Sequence, residues 1–247
     1  MEGSAYIGES LAGLVFLVMG IRLLRLAFRT GESPERFLSA SFLVWGLSYL
    51  LYGVPHALTD ESLVRPLYFA ARLTVDAGAI TFAFFTWSVF RKHDTWGLWL
   101  VAGIVVCQVV GVAGSVWVDD WEGIYPMQNP WWWAEWAGLT ATTAWMAAEG
   151  LVQYGKARQR LALGLCDPLA CNRLLLWGLV SILWMALQFV FVVQSIEYTT
   201  TQQWSAPIDA LVGAIEITAI AMVWLVFFPP ACYRRWVAGA ELTAAEG

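Results

Sequence analysis

Seven apolar segments divide this chain, and most of its charged residues lie between them. The segments run over residues 7–28, 37–55, 66–90, 96–118, 132–154, 172–194 and 206–228. Each is long enough to cross a hydrocarbon core about 30 Å thick as a helix that rises about 1.5 Å per residue. Because lipid offers no partners to backbone N–H and C=O groups, each segment has to satisfy its own. We therefore predict an all-α integral membrane protein with seven transmembrane helices.

Composition supports a membrane location. Hydrophobic residues make up 59% of the chain and charged residues 13%, and the mean hydropathy is +0.61. That leaves too little polar surface for a water-soluble protein of 27.5 kDa. Arginine strongly outnumbers lysine in a chain rich in Ala and Gly, which favours a bacterial inner membrane.

Basic residues predict the orientation. Of the 14 Lys and Arg residues, 12 lie at alternate ends of the segments, on one side of the predicted membrane. The other side carries acidic residues and, among basic ones, Arg65. The side rich in Lys and Arg is cytoplasmic by the positive-inside rule. The N-terminus is therefore predicted outside and the C-terminus in the cytoplasm.

The second half of the chain resembles the first. Residues 43–47 match 175–179 around a shared Trp-Gly pair, and residues 77–90 align without gaps on 214–227. We predict a single membrane domain over 1–247, built from repeat-like units 7–90 and 132–228 with segment 96–118 as a connector. Such a parallel arrangement of three, one and three helices resembles the architecture of SWEET-type sugar transporters and, more distantly, of microbial rhodopsins.

Cofactor and enzyme chemistry find little support in the residues. A retinal Schiff base needs a lysine in the last segment, and residues 206–228 contain none. His56 and His93 lie at opposite ends of the predicted membrane, so they cannot ligate one metal ion or one haem. Neither a Gly-x-Ser-x-Gly elbow nor a His-Glu-x-x-His pair occurs. We expect no cofactor, no bound metal and no enzymatic activity.

Four ionisable residues at membrane depth are the leading functional candidates, because such residues cost about 2.5–3.5 kcal/mol each on insertion scales. Arg72 and Asp76 are one helical turn apart in the third segment, and Asp209 and Glu216 are two turns apart in the seventh. The repeat alignment places Arg72 opposite Asp209, so we expect the two segments to face each other. Asp76 and Glu216 would then form a proton or cation site, with Arg72 and Asp209 as an outer latch.

A structural role for the same residues stays open. Arg72 would then lock the third and seventh segments together, and Glu216 would donate a neutral hydrogen bond between helices. An inner gate is also conceivable near the cytoplasmic side, where Glu149 would have to contact Arg22 and Arg25. Snorkelling of these arginines to the membrane surface explains their positions equally well.

Three tryptophans fall near mid-membrane by residue count: Trp45, Trp145 and Trp184. Beside carboxylates, such rings suit an organic cation through cation–π attraction. Packed or lipid-facing tryptophans are the alternative.

These observations predict a secondary transporter, or a proton- or cation-coupled carrier of a small molecule. One alternative is a seven-helix ligand-sensing receptor module that signals to a separate cytoplasmic partner. The other is a structural subunit of a larger membrane complex. Besides the lipid bilayer, the expected partners are a small-molecule or cation ligand and a cytoplasmic or membrane protein. Because the connections between segments are short, we expect no nucleic-acid binding.

Overall fold

The structure, a computed structural model, describes residues 3–53, 61–120, 129–201 and 205–245. Within those ranges the chain forms eight α-helices: α1 Gly3–Thr30, α2 Ser33–Gly53, α3 Glu61–Phe90, α4 Thr95–Trp117, α5 Trp132–Leu161, α6 Pro168–Thr201, α7 Ala206–Phe227 and α8 Ala231–Ala245. The first seven coincide with the predicted segments. His56 and the end of the second segment lie outside the described residues. α8 follows the last segment and was not predicted.

Five of these helices contain stretches long and apolar enough to cross a membrane: Leu11–Thr30 of α1, Leu63–Phe90 of α3, and α4, α6 and α7. Within the described residues, helices α2 and α5 contain no stretch of this length and apolar character. α5 carries two glutamates and ends in a basic turn, and serines are buried along α2. The all-helical, apolar fold indicates an integral membrane protein, and the predicted count of seven spans depends on α2 and α5.

Neighbouring helices in the chain are mostly neighbours in space. α1 packs on α2 and α2 on α3, while α5 packs on α6 and α6 on α7. α4 contacts both α3 and α5, which also contact each other, and α8 lies against α6. Across the described residues, no Cα atom of α3 comes within 8 Å of one in α7. α3 therefore has α2, α4 and α5 as its neighbours among the described helices.

Tightly packed aromatic rings form the main core. The rings of Trp45 and Trp184 have centroids 5.2 Å apart, and Phe16 and Phe82 contact both of them. The Trp45 indole fits directly over Gly78 of α3, where any Cβ atom would clash with the ring. This packing fixes α2 against α3, and so sets how α3 presents its polar face to α4 and α5.

Candidate functional site

A buried arginine on α3 is the centre of the most polar region in the described part of the chain. Arg72 is 3% exposed, and all three of its guanidinium nitrogens donate hydrogen bonds. Nε lies 2.9 Å from both carboxylate oxygens of Glu135 on α5, to which Nη2 also donates. Nη1 reaches the backbone oxygen of Asp120 at 2.9 Å, and Nη2 the Ser115 hydroxyl at 2.7 Å. These charge-assisted bonds hold α3 to α4 and α5.

Asp76 lies one turn further along α3 and is 5% exposed. Its Oδ1 accepts a 2.9 Å hydrogen bond from the side-chain amide of Gln108 on α4, in the amide orientation that also lets Gln108 accept from the Leu139 backbone nitrogen. Its Oδ2 is buried and receives no donor from the described residues. Arg72, one turn away on the same helix, is bound to the carboxylate of Glu135, so two buried carboxyl groups belong to the surroundings of one guanidinium.

Small residues on α4 bring Glu135 into this position. A Cβ atom at Gly111 would lie 2.7 Å from the Glu135 Cβ and 2.8 Å from its backbone nitrogen, and one at Gly114 would overlap the Trp131 ring. The first turn of α5 therefore packs directly on the α4 backbone, as small residues permit between membrane helices. Without this close approach, the short Glu135 side chain would not reach Arg72.

Asn129 ties the beginning of α5 to the end of α4. Its Oδ1 accepts from the backbone nitrogens of Trp131 and Trp132 at 3.0 and 3.3 Å, which caps the first turn of α5. Its Nδ2 donates to the Ser115 hydroxyl at 2.7 Å and to Asp120 Oδ2 at 2.6 Å. The Ser115 hydroxyl therefore accepts hydrogen bonds from both Arg72 and Asn129, which holds it in position.

Charge is not balanced among three buried ionisable residues, Arg72, Asp76 and Glu135, which we call the outer cluster. One guanidinium faces two carboxyl groups, so the fully ionised cluster has a net charge of −1. Burying an uncompensated charge is costly, and a proton or a bound cation removes that cost. No group of three His, Cys, Asp or Glu residues suited to a metal ion occurs in the part of the chain that the structure describes. One proton or one monovalent cation would neutralise the net charge of the outer cluster.

The other two predicted carboxylates lie elsewhere. Asp209 is exposed at the beginning of α7 and accepts a 2.6 Å hydrogen bond from Gln194 of α6. Glu216 is half-buried and accepts from the Tyr49 hydroxyl of α2 at 3.1 Å. Because α7 does not approach α3, the expected juxtaposition of these residues with Arg72 and Asp76 is not formed, and Glu135 takes the predicted place of Asp209 beside Arg72. Whether any of them binds a substrate or ion stays a prediction.

A second arginine–glutamate pair, Arg91 with Glu149, closes the other end of the α3–α5 interface, and we call it the inner pair. Glu149 is 4% exposed, and its Oε1 accepts from Arg91 Nε at 2.6 Å and from Trp145 Nε1 at 3.3 Å. Its Oε2 is buried and has no donor among the described side chains or backbone groups. The hydrogen bond that Arg91 donates to Glu149 raises the pKa of the Arg91 guanidinium, which is therefore cationic throughout the physiological range.

The predicted inner gate differs from this arrangement. Arg22 lies over the Phe228 ring, 4.3 Å from its centroid, and Arg25 is exposed. α1 and α5 are not in contact within the described ranges, so neither arginine reaches Glu149. Arg91 takes their place. Sequence reasoning missed Arg91 because it directly follows the third segment and counts as an ordinary cytoplasmic charge.

The three candidate tryptophans lie in packed positions. Trp45 donates from Nε1 to the Val75 backbone oxygen at 3.2 Å, and Trp184 contacts Trp45 in the main core. Trp145 packs on Trp96 with ring centroids 5.9 Å apart and donates to Glu149. These contacts are those of core residues, and a role in cation binding stays a prediction.

Polar residues at heptad spacing are the signal that could have located the outer cluster. Glu135, Thr142 and Glu149 recur every seven residues on α5, and all are buried. Gln108 and Ser115 show the same spacing on α4. Residues seven apart share one helix face, so these patterns predict a polar face common to α4 and α5. Glu135 was instead counted with the acidic residues of the outer surface.

Taken together, the helical and apolar architecture indicates a polytopic membrane protein whose interior carries two ion pairs. Its chemistry has to be argued from the residues of this chain. No protein-family model matches the sequence, and neither a curated protein nor a solved structure is significantly similar to it.

Proposed function

We propose that this protein is a secondary transporter that couples movement of a small molecule to a proton or monovalent cation bound at the outer cluster. The observation that carries the proposal is the buried Asp76 Oδ2, which lacks a donor in the described structure although Asp76 lies one turn from Arg72. A structural ion pair needs only one carboxylate for its arginine. The second carboxyl group gives the cluster a place to bind and release a positive charge.

Seven membrane-spanning helices, with the N-terminus outside and the C-terminus in the cytoplasm, are part of this proposal. The two helices that fall short of the apolar criterion each have two strongly packed neighbours: α2 contacts α1 and α3, and α5 contacts α4 and α6. Helices that face other helices tolerate more polar residues than helices that face lipid. The positive-inside pattern supports the orientation.

A shared feature of two helix pairs supports the internal repeat. A Cβ atom at Gly46 of α2 would lie 3.0 Å from the Gly13 backbone oxygen of α1. In the second unit, a Cβ atom at Gly150 of α5 would lie 2.8 Å from the Gly178 backbone nitrogen of α6. Gly13 and Gly150 are as far apart in the sequence as the aligned residues Ala77 and Ala214. In both units, therefore, a glycine lies where the first two helices of the unit pack closely on each other.

The two ion pairs of the α3–α5 interface support a carrier in an occluded state. The outer cluster lies toward the predicted outside, and the inner pair lies at the predicted cytoplasmic end. A carrier exposes a central site to one side at a time, which requires the two ends of an interface to open separately. Charge pairs at both ends are suited to this, since protonation of a carboxylate removes the attraction at that end.

The receptor alternative has one observation in its favour. α8 is joined to α6 by a hydrogen bond from the Asn172 amide to the Tyr233 hydroxyl at 2.7 Å, so a shift of α6 would be passed to the cytoplasmic surface. A structural subunit is less favoured, because Arg72 finds its hydrogen-bond partners within its own chain and offers little to a partner helix.

Proton flux into proteoliposomes under an imposed pH gradient tests the proposal, with and without a panel of small organic cations and sugars. We expect flux that depends on one of these compounds in the wild type and is lost in Asp76→Asn, which keeps the shape and hydrogen-bonding capacity of the side chain. Asp209→Asn is the matched control, because it makes the same chemical change on an exposed carboxylate and should retain flux. Absence of flux from folded, inserted wild-type protein would overturn the transporter proposal and favour the receptor.

A further inference from the structure

We propose that Glu149 is a second proton-binding site, loaded from the cytoplasm, and that its protonation releases Arg91 and opens the inner end of the α3–α5 interface. The inference deepens the proposed function and rests on it for its role in transport. It assigns the inner pair a chemical event, namely proton binding at a carboxylate, in addition to a structural contact.

The geometry of Glu149 is the first support. The residue is more than nine-tenths buried, yet only Oε1 is hydrogen-bonded, and Oε2 has no donor in the described structure. Buried carboxylates used only for structure normally have both oxygens satisfied. Protonation at Oε2 would leave the Oε1 bonds to Arg91 and Trp145 geometrically intact while removing the negative charge that strengthens them.

Access to water is the second support. The Arg91 side chain is 30% exposed although that of Glu149 is 5% exposed, so the pair spans the boundary between solvent and the helix interior. Arg91 also pairs with Asp94 at 3.2 Å, which gives the guanidinium a second carboxylate to bind when Glu149 becomes neutral. The arginine would therefore move toward Asp94 and remain paired throughout.

The surroundings of Glu149 carry few other charges. From the α3–α4 connection it binds Arg91, whose second carboxylate partner is Asp94, and α4 contributes the Trp96 ring, which lies 5.1 Å from the Arg91 guanidinium carbon. On the α6 side, the neighbouring Gly150 packs against Gly178 and the Leu174 backbone oxygen, which are uncharged. Arg91 is thus the cation whose pairing depends most directly on the charge of Glu149.

Proton binding at Glu149 is a simple, balanced step. A hydronium ion of the cytoplasmic solvent transfers a proton to Oε2 and becomes a water molecule. The new O–H bond changes the carboxylate from −1 to neutral. Arg91 retains its charge and shifts its ion pair to Asp94. The reverse step returns the proton to water and restores the pair, so no other reactant is needed.

Infrared difference spectroscopy of the full-length protein in lipid bilayers, with pH as the only variable, tests this inference directly. Protonation of a buried carboxylate produces a carboxylic-acid C=O stretching band, and isotopic labelling of glutamate carboxyls separates Glu bands from those of Asp76. We expect one glutamate band to be lost in Glu149→Gln. The band should return at a shifted position in Glu149→Asp. Glu32→Gln changes an exposed glutamate of the α1–α2 turn and should leave the band intact.

The outcomes separate this inference from the proposed function. An unchanged glutamate band in folded Glu149→Gln would overturn the inference, whatever the protein transports. A lost band together with absent proton flux in the wild type would support Glu149 as a proton site and overturn the transporter. If Glu149→Gln does not fold, persistence of the isotope-sensitive band in Glu149→Asp at its wild-type position would overturn the assignment.

Discussion

The outer cluster and the inner pair hold the same two helices together, yet they are built differently. Arg72 is buried and uses every guanidinium nitrogen, with Ser115 and the Asp120 backbone adding to Glu135. Arg91 is partly exposed and pairs with one buried and one half-exposed carboxylate. A buried arginine must be fully hydrogen-bonded because no water replaces a missing partner, whereas a partly exposed one exchanges partners with solvent.

This difference predicts different energetic costs for opening the two ends of the α3–α5 interface. Breaking the outer cluster leaves unpaired charges in a low-dielectric interior. The outer end of the interface therefore opens only if its carboxyl groups are neutralised first. Breaking the inner pair leaves Arg91 in contact with water and Asp94, so the buried carboxyl group of Glu149 is the one charge that has to be neutralised. In the transporter that we propose, the outer end would therefore couple transport to a bound proton or cation, and the inner end would open more readily.

Arg72→Ala should give the largest effect. Removing one partner of a buried ion pair leaves uncompensated charge, and we expect a loss of about 3–5 kcal/mol in the free energy of unfolding. Unfolding in mixed detergent micelles measures it. A neutral effect would mean that Asp76 and Glu135 are both protonated in the wild type, which would remove the contrast between the two ends.

Arg91→Ala should cost less, about 1–3 kcal/mol, because it leaves a single buried carboxyl group, that of Glu149, without its arginine, and Trp145 still donates to that group. The same micelle unfolding experiment, run beside Arg72→Ala, compares the two ends directly. Equal losses in the two variants would show that exposure does not distinguish them.

Gly111→Ala tests whether the close approach of α4 and α5 positions the outer cluster. The new Cβ atom would meet the Glu135 backbone nitrogen at 2.8 Å, and such overpacking costs about 1–3 kcal/mol. Gly103→Ala on the same helix is the matched control, since no atom lies within 4 Å of its Cβ position. There we expect a gain of up to about 1 kcal/mol from helix propensity. Similar melting temperatures for both variants would contradict a positioning role for Gly111.

Asp209→Asn should have the smallest effect, within about 0.5 kcal/mol, because the side chain is exposed and the amide still accepts the Gln194 hydrogen bond. Thermal unfolding measures stability, and the flux assay above measures function. Loss of flux in this variant would show that α7 contributes to the site. It would also weaken the assignment of coupling to α3, α4 and α5.

Several features of the site followed from the sequence. Arg72 and Asp76 were identified because any ionisable residue in a long apolar helix is rare and costly, and that judgement needs only hydropathy and helical rise. Glu149 was noted for the same reason. Their partners were not predictable in this way, since depth and face restrict a residue to a layer of the membrane without selecting the neighbouring helix.

Glu135 shows which kind of site residue the sequence alone does not identify. It lies in the first turn of α5 and therefore counted as a surface carboxylate, although it is buried. Its burial depends on Gly111 and Gly114, which let α5 pack on the backbone of α4. Whether a glycine lets two helices pack closely depends on which residues of the neighbouring helix lie against it. The sequence does not specify those residues.

The sequence by itself determined that the chain is helical, apolar and built for a membrane, because these properties follow from local composition and from the need of each backbone group for a partner. It also determined which charges are out of place in lipid. Only the tertiary structure decided that α3 packs against α4 and α5, that Arg72 pairs with Glu135, and that Arg91 pairs with Glu149. The partner of each charged residue depends on how helices that are distant in sequence pack together. Several helices have similar apolar faces, and a few close contacts at small residues select which of them become neighbours.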